Sequence, residues 1–348
     1  MDDVAISFAL ILDKMTTKDT EGYEMSEKER VTISDIARLA GVGKSTVSRY
    51  SNNGSVSPQT RAKLDTVVKE YDYEPNRFAQ SLKKTSSGMI GVVVPTFASF
   101  SLTEMMRGMD YVNQDDFFLT INTYHDVKRQ VEAVKQLAHQ NVDGIIVMTG
   151  KVTDELTAAL EQVSVPVIVQ GQPSTQFETV NVDNQHAGEL LVPLIADAEP
   201  SEVLLLGVDP SVDYNVGQVR FDAVINALNG QMKRVYTSFD RTETITVMRD
   251  YLVTHELPKY IIAATDIIAL GALAAVQEQD FNVPNDVKIV AFDNSPAAEI
   301  VTPASTTVGF DYFVLGQWLY RRLKDLFQPE PVLHDPMLAG TLVRRTSL

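Results

Sequence analysis

The segment GKS, residues 43–45, is the first candidate for chemistry in the sequence, because it matches the end of a phosphate-binding loop. Such a loop carries another glycine five residues earlier and follows a β-strand. Position 38 is Arg38, however, and the preceding segment SDIARLA spaces its apolar residues three and four apart, as a helix does. The required glycine and strand are both missing, so we predict that this segment does not bind a nucleotide.

A second set of candidates lies after or near the ends of apolar runs further along the chain. Its hydroxyls, amide, carboxylate, guanidinium and aromatic rings are groups that suit a polyhydroxylated ring. The set consists of Phe97, Ser99, Tyr124, His125, Thr149, Gln170, Arg220, Thr265, Asp293 and Phe310. For the aromatic members and His125, simple packing is the alternative. Asp266 and the pair Asp183–Asn184 are instead expected to cap helices.

The apolar runs themselves predict the elements that would position these side chains. They alternate with helical stretches and read MIGVVVP, FFLTIN, DGIIVMT, PVIVQG, VLLLGV, RVYTS, YIIAAT and VKIVAF. Near-continuous apolar strands are typical of parallel sheets covered on both faces, and ligands bind beyond the carboxyl ends of such strands. The number of alternations exceeds one doubly wound sheet. We therefore predict an α/β body of two doubly wound parallel-sheet lobes.

A small all-α head is predicted before the body. Thr32 and Asp35 form a weak capping box for a first helix, Gly41 turns the chain, and a second helix spans residues 44–50. Ser57–Pro58 begins a third helix. Its expected apolar face comprises Ala62, Leu64, Val67, Val68 and Tyr71. Three short helices, the first two joined at a glycine, predict a helix-turn-helix DNA-binding head.

The second helix of the head carries the side chains that suit DNA. We expect it to bury Val47 and to expose Lys44, Ser45, Ser48 and Arg49. Arginine can bind both acceptors of a guanine, and hydroxyl groups reach phosphates or several bases. A solvated helix face without a ligand is the alternative.

Charge is distributed unevenly along the chain, whose net charge is −16. Residues 31–84 hold nine Lys and Arg against five Asp and Glu, whereas residues 85–348 hold 17 against 33. Such asymmetry indicates that only the head meets phosphate. Residues 1–30 are polar and charged and are predicted to be disordered.

Composition excludes several other classes of protein. The chain has no cysteine, which rules out disulfides, thiolate metal sites and a cysteine nucleophile. It has no histidine pair at metal spacing and no G-x-S-x-G motif, so we predict no enzyme, no metal and no cofactor. No apolar run is long enough to cross a membrane, and VAISFALIL near the start lacks the basic flank of an export signal. We expect a cytoplasmic protein without a membrane partner.

Three blocks of the head, VTISDIARLAGVGKSTVSRYSNN, SVSPQTRAKL and YDYEPNRFAQSLK, resemble the lactose/galactose repressor family in sequence and spacing, and the likeness continues through the body. The resemblance implies a periplasmic-binding-protein-like body. It implies base contacts by Lys44, Ser45 and Arg49 and backbone contacts by Thr46, Ser48 and Asn52. It also implies a hinge helix that inserts Leu82 into the minor groove, with Asn76, Arg77, Gln80 and Lys83 beside it. Gly43 departs from the family, which usually has serine at this cap.

The resemblance also implies domains and a function. The expected domains are an extension (1–30), the DNA-binding head (31–74), the hinge and linker (75–87) and an effector-binding and dimerisation domain (88–348). A homodimer would bind a pseudo-palindromic operator and leave it when a sugar binds. ATDIIALGA and GVDPSVDYNVGQVR look most like sucrose- and trehalose-operon repressors. A global catabolite regulator controlled by a phosphorylated carrier protein, or a regulator with a purine co-repressor, is the alternative.

Overall fold

A computed structural model describes residues 31–52, 54–73, 86–230, 232–328 and 337–348. The chain divides into two compact units, Met1–Lys83 and Lys84–Leu348. The predicted hinge residues lie outside the described residues. Among the residues that the structure describes, no helix is both long and apolar enough to cross a bilayer.

Within its described residues, the first unit contains three helices around a small core. They are α1 (Ile33–Ala40), α2 (Lys44–Ser51) and α3 (Pro58–Glu70). The core consists of Ile36, Ala37, Ala40, Val47, Leu64 and Tyr73. The Thr32–Asp35 capping box is present, and Gly41 adopts φ 65°, a left-handed conformation that glycine reaches without strain. The predicted apolar face of α3 is wrong at Ala62 and Tyr71, which are exposed because the core contacts only the Leu64 side of the helix.

The second unit begins with a lobe built on a parallel five-stranded sheet of order β2-β1-β3-β4-β5. Its strands are β1 (Met89–Val94), β2 (Phe117–Asn122), β3 (Gly144–Met148), β4 (Val167–Gln170) and β5 (Glu178–Thr179). The helices between them are α4 (Phe100–Val112), α5 (Val127–His139) and α6 (Asp154–Glu161). Each of the first three β-strands in order along the chain is followed by a helix whose first turn is capped by a side chain, Ser99, Asp126 and Thr153 respectively.

The second lobe is built on a six-stranded sheet of order β13-β11-β10-β9-β7-β8. The chain enters it through β6 (Asn181–Val182), α7 (Asn184–Glu189) and short 3₁₀ turns. The elements that follow are β7 (Val203–Val208), a π-helical turn (Asn215–Val219), α8 (Arg220–Leu228), β8 (Lys233–Thr237), α9 (Arg241–Thr254), β9 (Tyr260–Ala263), α10 (Asp266–Gln277), β10 (Lys288–Asp293), α11 (Pro296–Ile300), β11 (Thr306–Gly309), α12 (Tyr312–Asp325), β12 (Met337–Leu338) and β13 (Thr341–Val343).

The chain crosses back from the second lobe to the first through α12, which packs against α4. Gly108 of α4 and Gly316 of α12 allow the two backbones to touch. A Cβ at Gly108 would lie 1.9 Å from the Phe313 carbonyl oxygen, and one at Gly316 would lie 2.0 Å from the Met105 carbonyl oxygen. This crossing helps to hold the first lobe to the last third of the chain. All eight predicted apolar runs form strands, and the predicted fold class is confirmed.

Candidate DNA interface and ligand cleft

Helix α2 presents its polar face away from the core of the head. Val47 is fully buried, as predicted, and it fixes which side of the helix faces outwards. Lys44, Ser45 and Arg49 are exposed, and neither Lys44 nor Arg49 makes a side-chain hydrogen bond or ion pair with a described residue. Among the described residues these two cations have no polar partner, so they are available to a ligand.

The three residues expected at the DNA backbone lie on or beside the same helix. Asn52 is exposed and donates from Nδ2 to the Ser48 carbonyl oxygen at 2.8 Å, while Ser48 and Thr46 are half-buried. Gly43 is the N-cap of α2 and offers no side-chain hydrogen bond, so the first turn lacks the usual cap.

A cleft of about 490 Å³ lies between the two lobes, beyond the carboxyl ends of their strands. It is within the size range of small-molecule sites. Seven residues of the predicted set line it: Ser99, His125, Thr149, Gln170, Arg220, Thr265 and Asp293. They follow or end strands near the points where strand order reverses in each sheet, which is where doubly wound folds bind ligands.

Three residues of the predicted set do not line the cleft. Phe97 and Tyr124 are 59% and 67% exposed, and the Tyr124 ring lies under the Arg129 guanidinium at 5.1 Å. Phe310 is buried beneath Arg220, with 5.4 Å between its ring centre and the guanidinium carbon. These aromatic residues do follow strands, as predicted. Their side chains, however, point towards solvent or the core instead of into the cleft.

Arg220 lies at the floor of the cleft and is held on several sides. Its Nε donates to Asn184 Oδ1 at 2.8 Å, and its Nη1 donates to the Ala264 carbonyl oxygen at 2.6 Å and to Asp293 Oδ1 at 3.2 Å. Burial lowers its pKa, but Asp293 and other nearby anionic groups outweigh this effect and raise it. The guanidinium therefore stays charged and fixed in direction.

Asp293 is the counter-charge of Arg220 and ends β10. Its Oδ1 also accepts a hydrogen bond from the Tyr312 hydroxyl at 2.7 Å. Its φ of 108° lies in the region that favours glycine, and this strain at a cleft residue is typical of a functional position. Among the described residues, no hydrogen bond is made to Oδ2, so this oxygen is available to a ligand.

Two further carboxylates line the cleft. Asp266 accepts hydrogen bonds from the Ser295 backbone N–H at 2.5 Å and from the Thr307 hydroxyl at 2.8 Å, and burial, aided by the charge of Asp293, raises its pKa to about 7. Burial also raises the pKa of Asp213 to about 6. The expectation that Asp266 caps α10 is wrong, because Thr265 is the cap and accepts from the Ile268 N–H.

The pair Asp183–Asn184 divides its roles. Asp183 caps α7 as predicted, accepting from the His186 N–H at 2.9 Å. Asn184 was expected to cap the same helix but instead is buried and orients Arg220. A helix has one cap residue, so the neighbour is free for another contact.

The two lobes touch each other on two sides of the cleft. At the rim, the His125 ring of the first lobe stacks on the Phe239 ring of the second, with centroids 5.5 Å apart. Partial burial lowers the pKa of His125, so this ring is neutral at pH 7. Deeper in, the Tyr214 N–H donates to the Gly150 carbonyl oxygen at 3.2 Å. The two lobes are therefore closed over the cleft in this structure, and the His125–Phe239 pair bridges them.

Four cleft or support residues were missed by the sequence analysis: Asn184 as a support, Asp213, Phe239 and Tyr312. Asp213 and Phe239 follow β7 and β8, so the rule that selected the other candidates could have found them. Tyr312 comes three residues after β11, so the same rule could have found it, although Phe310 was selected there.

Comparisons with known proteins agree with this architecture. Residues 90–329 match the periplasmic binding protein domain family, and residues 32–76 match the family of bacterial regulatory proteins, lacI family. The chain is 32% identical over 305 residues to the sucrose operon repressor of Staphylococcus xylosus, covering 86% of this chain and 95% of that protein. It is 29% identical to catabolite control protein A of Staphylococcus epidermidis, covering 87% and 94%. A crystal structure of the lac repressor dimer bound to operator and the anti-inducer ONPF superposes with a TM-score of 0.81 at 25% identity, covering 92% of this chain and 99% of that chain.

A helix-turn-helix head joined to a two-lobed binding body defines a ligand-responsive type of regulator. The chain belongs to the lacI family of bacterial regulatory proteins, and it is a DNA-binding transcriptional regulator. The family resemblance expected from the sequence is thereby confirmed. The relatives compared are themselves transcriptional regulators rather than enzymes.

Proposed function

We propose that this regulator represses sugar-utilisation genes and leaves its operator when a sugar enters the cleft. The observation that carries the proposal is the largely buried Arg220–Asp293 pair that lines the closed cleft, with Asp293 Oδ2 left without a hydrogen bond from any described residue. Carboxylate and guanidinium groups bind paired hydroxyls, and the His125–Phe239 stack adds an apolar surface for a sugar ring. Similarity to the sucrose operon repressor favours sucrose, with trehalose next.

The DNA side of the proposal assigns base contacts to Lys44, Ser45 and Arg49 and backbone contacts to Thr46, Ser48 and Asn52. We propose that a homodimer binds a pseudo-palindrome in the cytoplasm, with residues 31–74 as the head and 88–348 as the effector and dimerisation domain. Between them, residues 75–87 would act as the hinge, with Leu82 as the minor-groove wedge.

Coupling between sugar and DNA would run through the lobes. A sugar that contacts both lobes binds the closed arrangement more tightly than an open one, and it shifts the population accordingly. Movement of the lobes would then change the distance between the two heads of the dimer and lower the affinity with which the two heads together bind the operator.

The test is operator binding with and without sugar. A site selected by the full-length protein from random DNA serves as operator, and fluorescence anisotropy follows binding at fixed salt. Sucrose or trehalose should reduce operator affinity and should raise the melting temperature of the free protein, since a ligand at 100 times its Kd adds about 2.7 kcal/mol of stability. If no sugar in the panel alters either quantity, the proposal is wrong.

A global catabolite regulator is the second candidate, because catabolite control protein A is also a relative of this chain. In that case sugar alone would leave operator binding unchanged, and a phosphorylated carrier protein would increase it. A purine co-repressor is separated by the same assay, since guanine or hypoxanthine would then strengthen operator binding. We also propose that the cleft binds its sugar without converting it, and a hydrolysis assay on sucrose and trehalose checks this directly.

A further inference from the structure

The charges around the cleft are strongly unbalanced. Among the described residues, the charged side chains that line it are three carboxylates, Asp213, Asp266 and Asp293, and one guanidinium, Arg220, while His125 is neutral at pH 7. No lysine is among these lining residues. Because burial raises the pKa of Asp266 to about 7, this carboxyl is only partly ionised at neutral pH, but Asp213 and Asp293 together still outnumber Arg220. A ligand that enters this space therefore meets an excess of negative charge.

The single cation is already neutralised. Arg220 is within 3.2 Å of Asp293, is 4% exposed through its side chain, and uses its Nε and Nη1 hydrogen atoms on Asn184, Ala264 and Asp293. A phosphate would have to displace one of these partners, at Nε or at Nη1, to obtain a bidentate contact beside Asp293. That displacement would leave the carboxylate beside a dianion, and like charges placed together cost binding energy.

The remaining polar groups of the cleft are mainly acceptors and hydroxyls. Asp293 Oδ2 accepts no hydrogen bond from any described residue, and the Asp213 carboxylate is bonded by backbone N–H groups. Both carboxylates can take the O–H donors of a sugar. A phosphate ester brings further acceptors and few donors. The hydrogen-bonding capacity of the cleft thus favours hydroxyl groups for the same reason that its charge does.

Helix N-termini face the cleft and act in the opposite direction, but they are too weak to change the balance. The first turn of α4 is near the cleft, yet Ser99 Oγ already accepts from the Leu102 N–H there. The first turn of α10 holds the Asp266 carboxylate. Each terminus supplies about half a positive charge, so these two termini and Arg220 do not outweigh Asp213, Asp293 and the partly ionised Asp266.

We infer that the cleft selects a neutral, unphosphorylated sugar and rejects the phosphate ester of the same sugar. The inference rests on the proposed function and narrows its ligand class. It assigns a specificity role to Asp213, which makes no salt bridge with a described residue and accepts hydrogen bonds from backbone N–H groups, among them that of Val216 at 3.0 Å.

The experiment measures binding of sucrose, trehalose and glucose, each beside its 6-phosphate, by calorimetry and by melting of the full chain at pH 7.5. The neutral sugar that binds should do so at least about ten-fold more tightly than its phosphate. Asp213→Asn should narrow that ratio, because it removes one negative charge while keeping the side-chain shape. Asp209→Asn is the matched control, since Asp209 is an exposed carboxylate nearby that does not line the cleft.

The outcomes separate this inference from the function on which it rests. A phosphate ester that binds as tightly as the neutral sugar, or more tightly, overturns the inference and leaves a sugar-responsive regulator in place. An unchanged ratio in Asp213→Asn, with Asp209→Asn equally unchanged, overturns the role of the carboxylate. If none of the six compounds binds or alters operator affinity, both the inference and the proposed sugar response fail.

Discussion

Arg220 shows how single residues make the cleft floor both charged and stable. A buried ion pair is costly to break, since removal of one partner leaves an uncompensated charge and costs about 3–5 kcal/mol. Here the Asp293 carboxylate, the Asn184 amide and the Ala264 carbonyl share the guanidinium, and the Phe292 and Phe310 rings lie within 5.4 Å of it. The ligand-facing atoms are therefore oriented before any ligand arrives.

Asp293→Asn should abolish the sugar response while operator binding is retained. The amide oxygen can still accept from Tyr312, and asparagine tolerates the positive φ of this position better than most residues. The lost charge weakens both the Arg220 contact and the hydrogen bonds to sugar hydroxyls, so we expect sugar affinity to fall at least about ten-fold. Operator anisotropy with and without sugar measures this, and Asp250→Asn on exposed α9 is the control. A normal sugar response would remove Asp293 from the binding site.

Asp266→Asn should change the pH dependence of stability. The folded-state pKa of Asp266 is raised to about 7 from 3.8, so the folded protein holds this proton more tightly than the unfolded chain does. Its contribution to stability therefore declines as pH rises from about 4 to about 7 and is lowest above that. Asparagine has no charge to bury, and it can keep both contacts by accepting from Ser295 and donating to Thr307.

At pH 8 we expect the free energy of unfolding of Asp266→Asn to exceed that of the wild type by on the order of 1–3 kcal/mol, which raises the melting temperature. Near pH 4.5 the two proteins should differ little in stability. Thermal melts of wild type and variant across this pH range provide the measurement. An equal loss of stability at both pH values would mean that the carboxylate has a structural role that the amide cannot fill.

Element boundaries explain what the sequence could and could not predict. Strands β1, β3, β7 and β9 were predictable because four or more buried, mostly apolar residues in a row leave a clear pattern, whereas β5, β6 and β12 have two residues each and no period to detect. Asp266 was expected to cap α10, but the cap is Thr265, because the helix begins one residue earlier than that assignment requires. Asn184 and Arg220 meet from positions 36 residues apart, which no local pattern encodes.

The recognition helix α2 leads to a prediction about specificity. Arg49→Ala should cost about 1–3 kcal/mol of operator affinity and should relax the sequence preference, if Arg49 reads a base edge. Lys63→Ala is the comparison, because it removes one exposed positive charge from α3 in the same head. Binding to selected and random DNA at one salt concentration distinguishes the two. Equal losses on both DNAs for Arg49→Ala would indicate a phosphate contact instead.

Gly43→Ser should stabilise the start of α2. Gly43 has the extended conformation of an N-cap, φ −75° and ψ 150°, and a Cβ there would meet no atom closer than 3.7 Å. A serine hydroxyl could accept from a free N–H of the first turn, which is worth a few tenths of a kcal/mol relative to glycine. Hydrogen exchange of the α2 amides in the full chain, at increasing denaturant concentration, measures the gain in stability. Faster exchange in the variant would contradict the cap assignment.

At the scale of the whole molecule, the closed arrangement of the two lobes depends on a direct contact at Gly150. A Cβ at this position would lie 2.7 Å from Asp213 Oδ2 and 2.8 Å from the Val212 carbonyl oxygen of the other lobe. The carboxylate could rotate away, but the backbone carbonyl can move only if the lobes separate. Gly150→Ala should therefore destabilise the closed arrangement by roughly 1–3 kcal/mol, the usual cost of overpacking.

Because a sugar must contact both lobes, Gly150→Ala should bind it more weakly and should show a larger radius of gyration in solution scattering with sugar present. Lys128→Ala is the control, since Lys128 is an exposed residue of the same lobe that does not line the cleft. Operator binding without sugar should persist, because release, not binding, requires closure. If Gly150→Ala closed around sugar with unchanged affinity, the contact at Gly150 would not limit closure, and the coupling between cleft and operator would have to run through another part of the lobe interface.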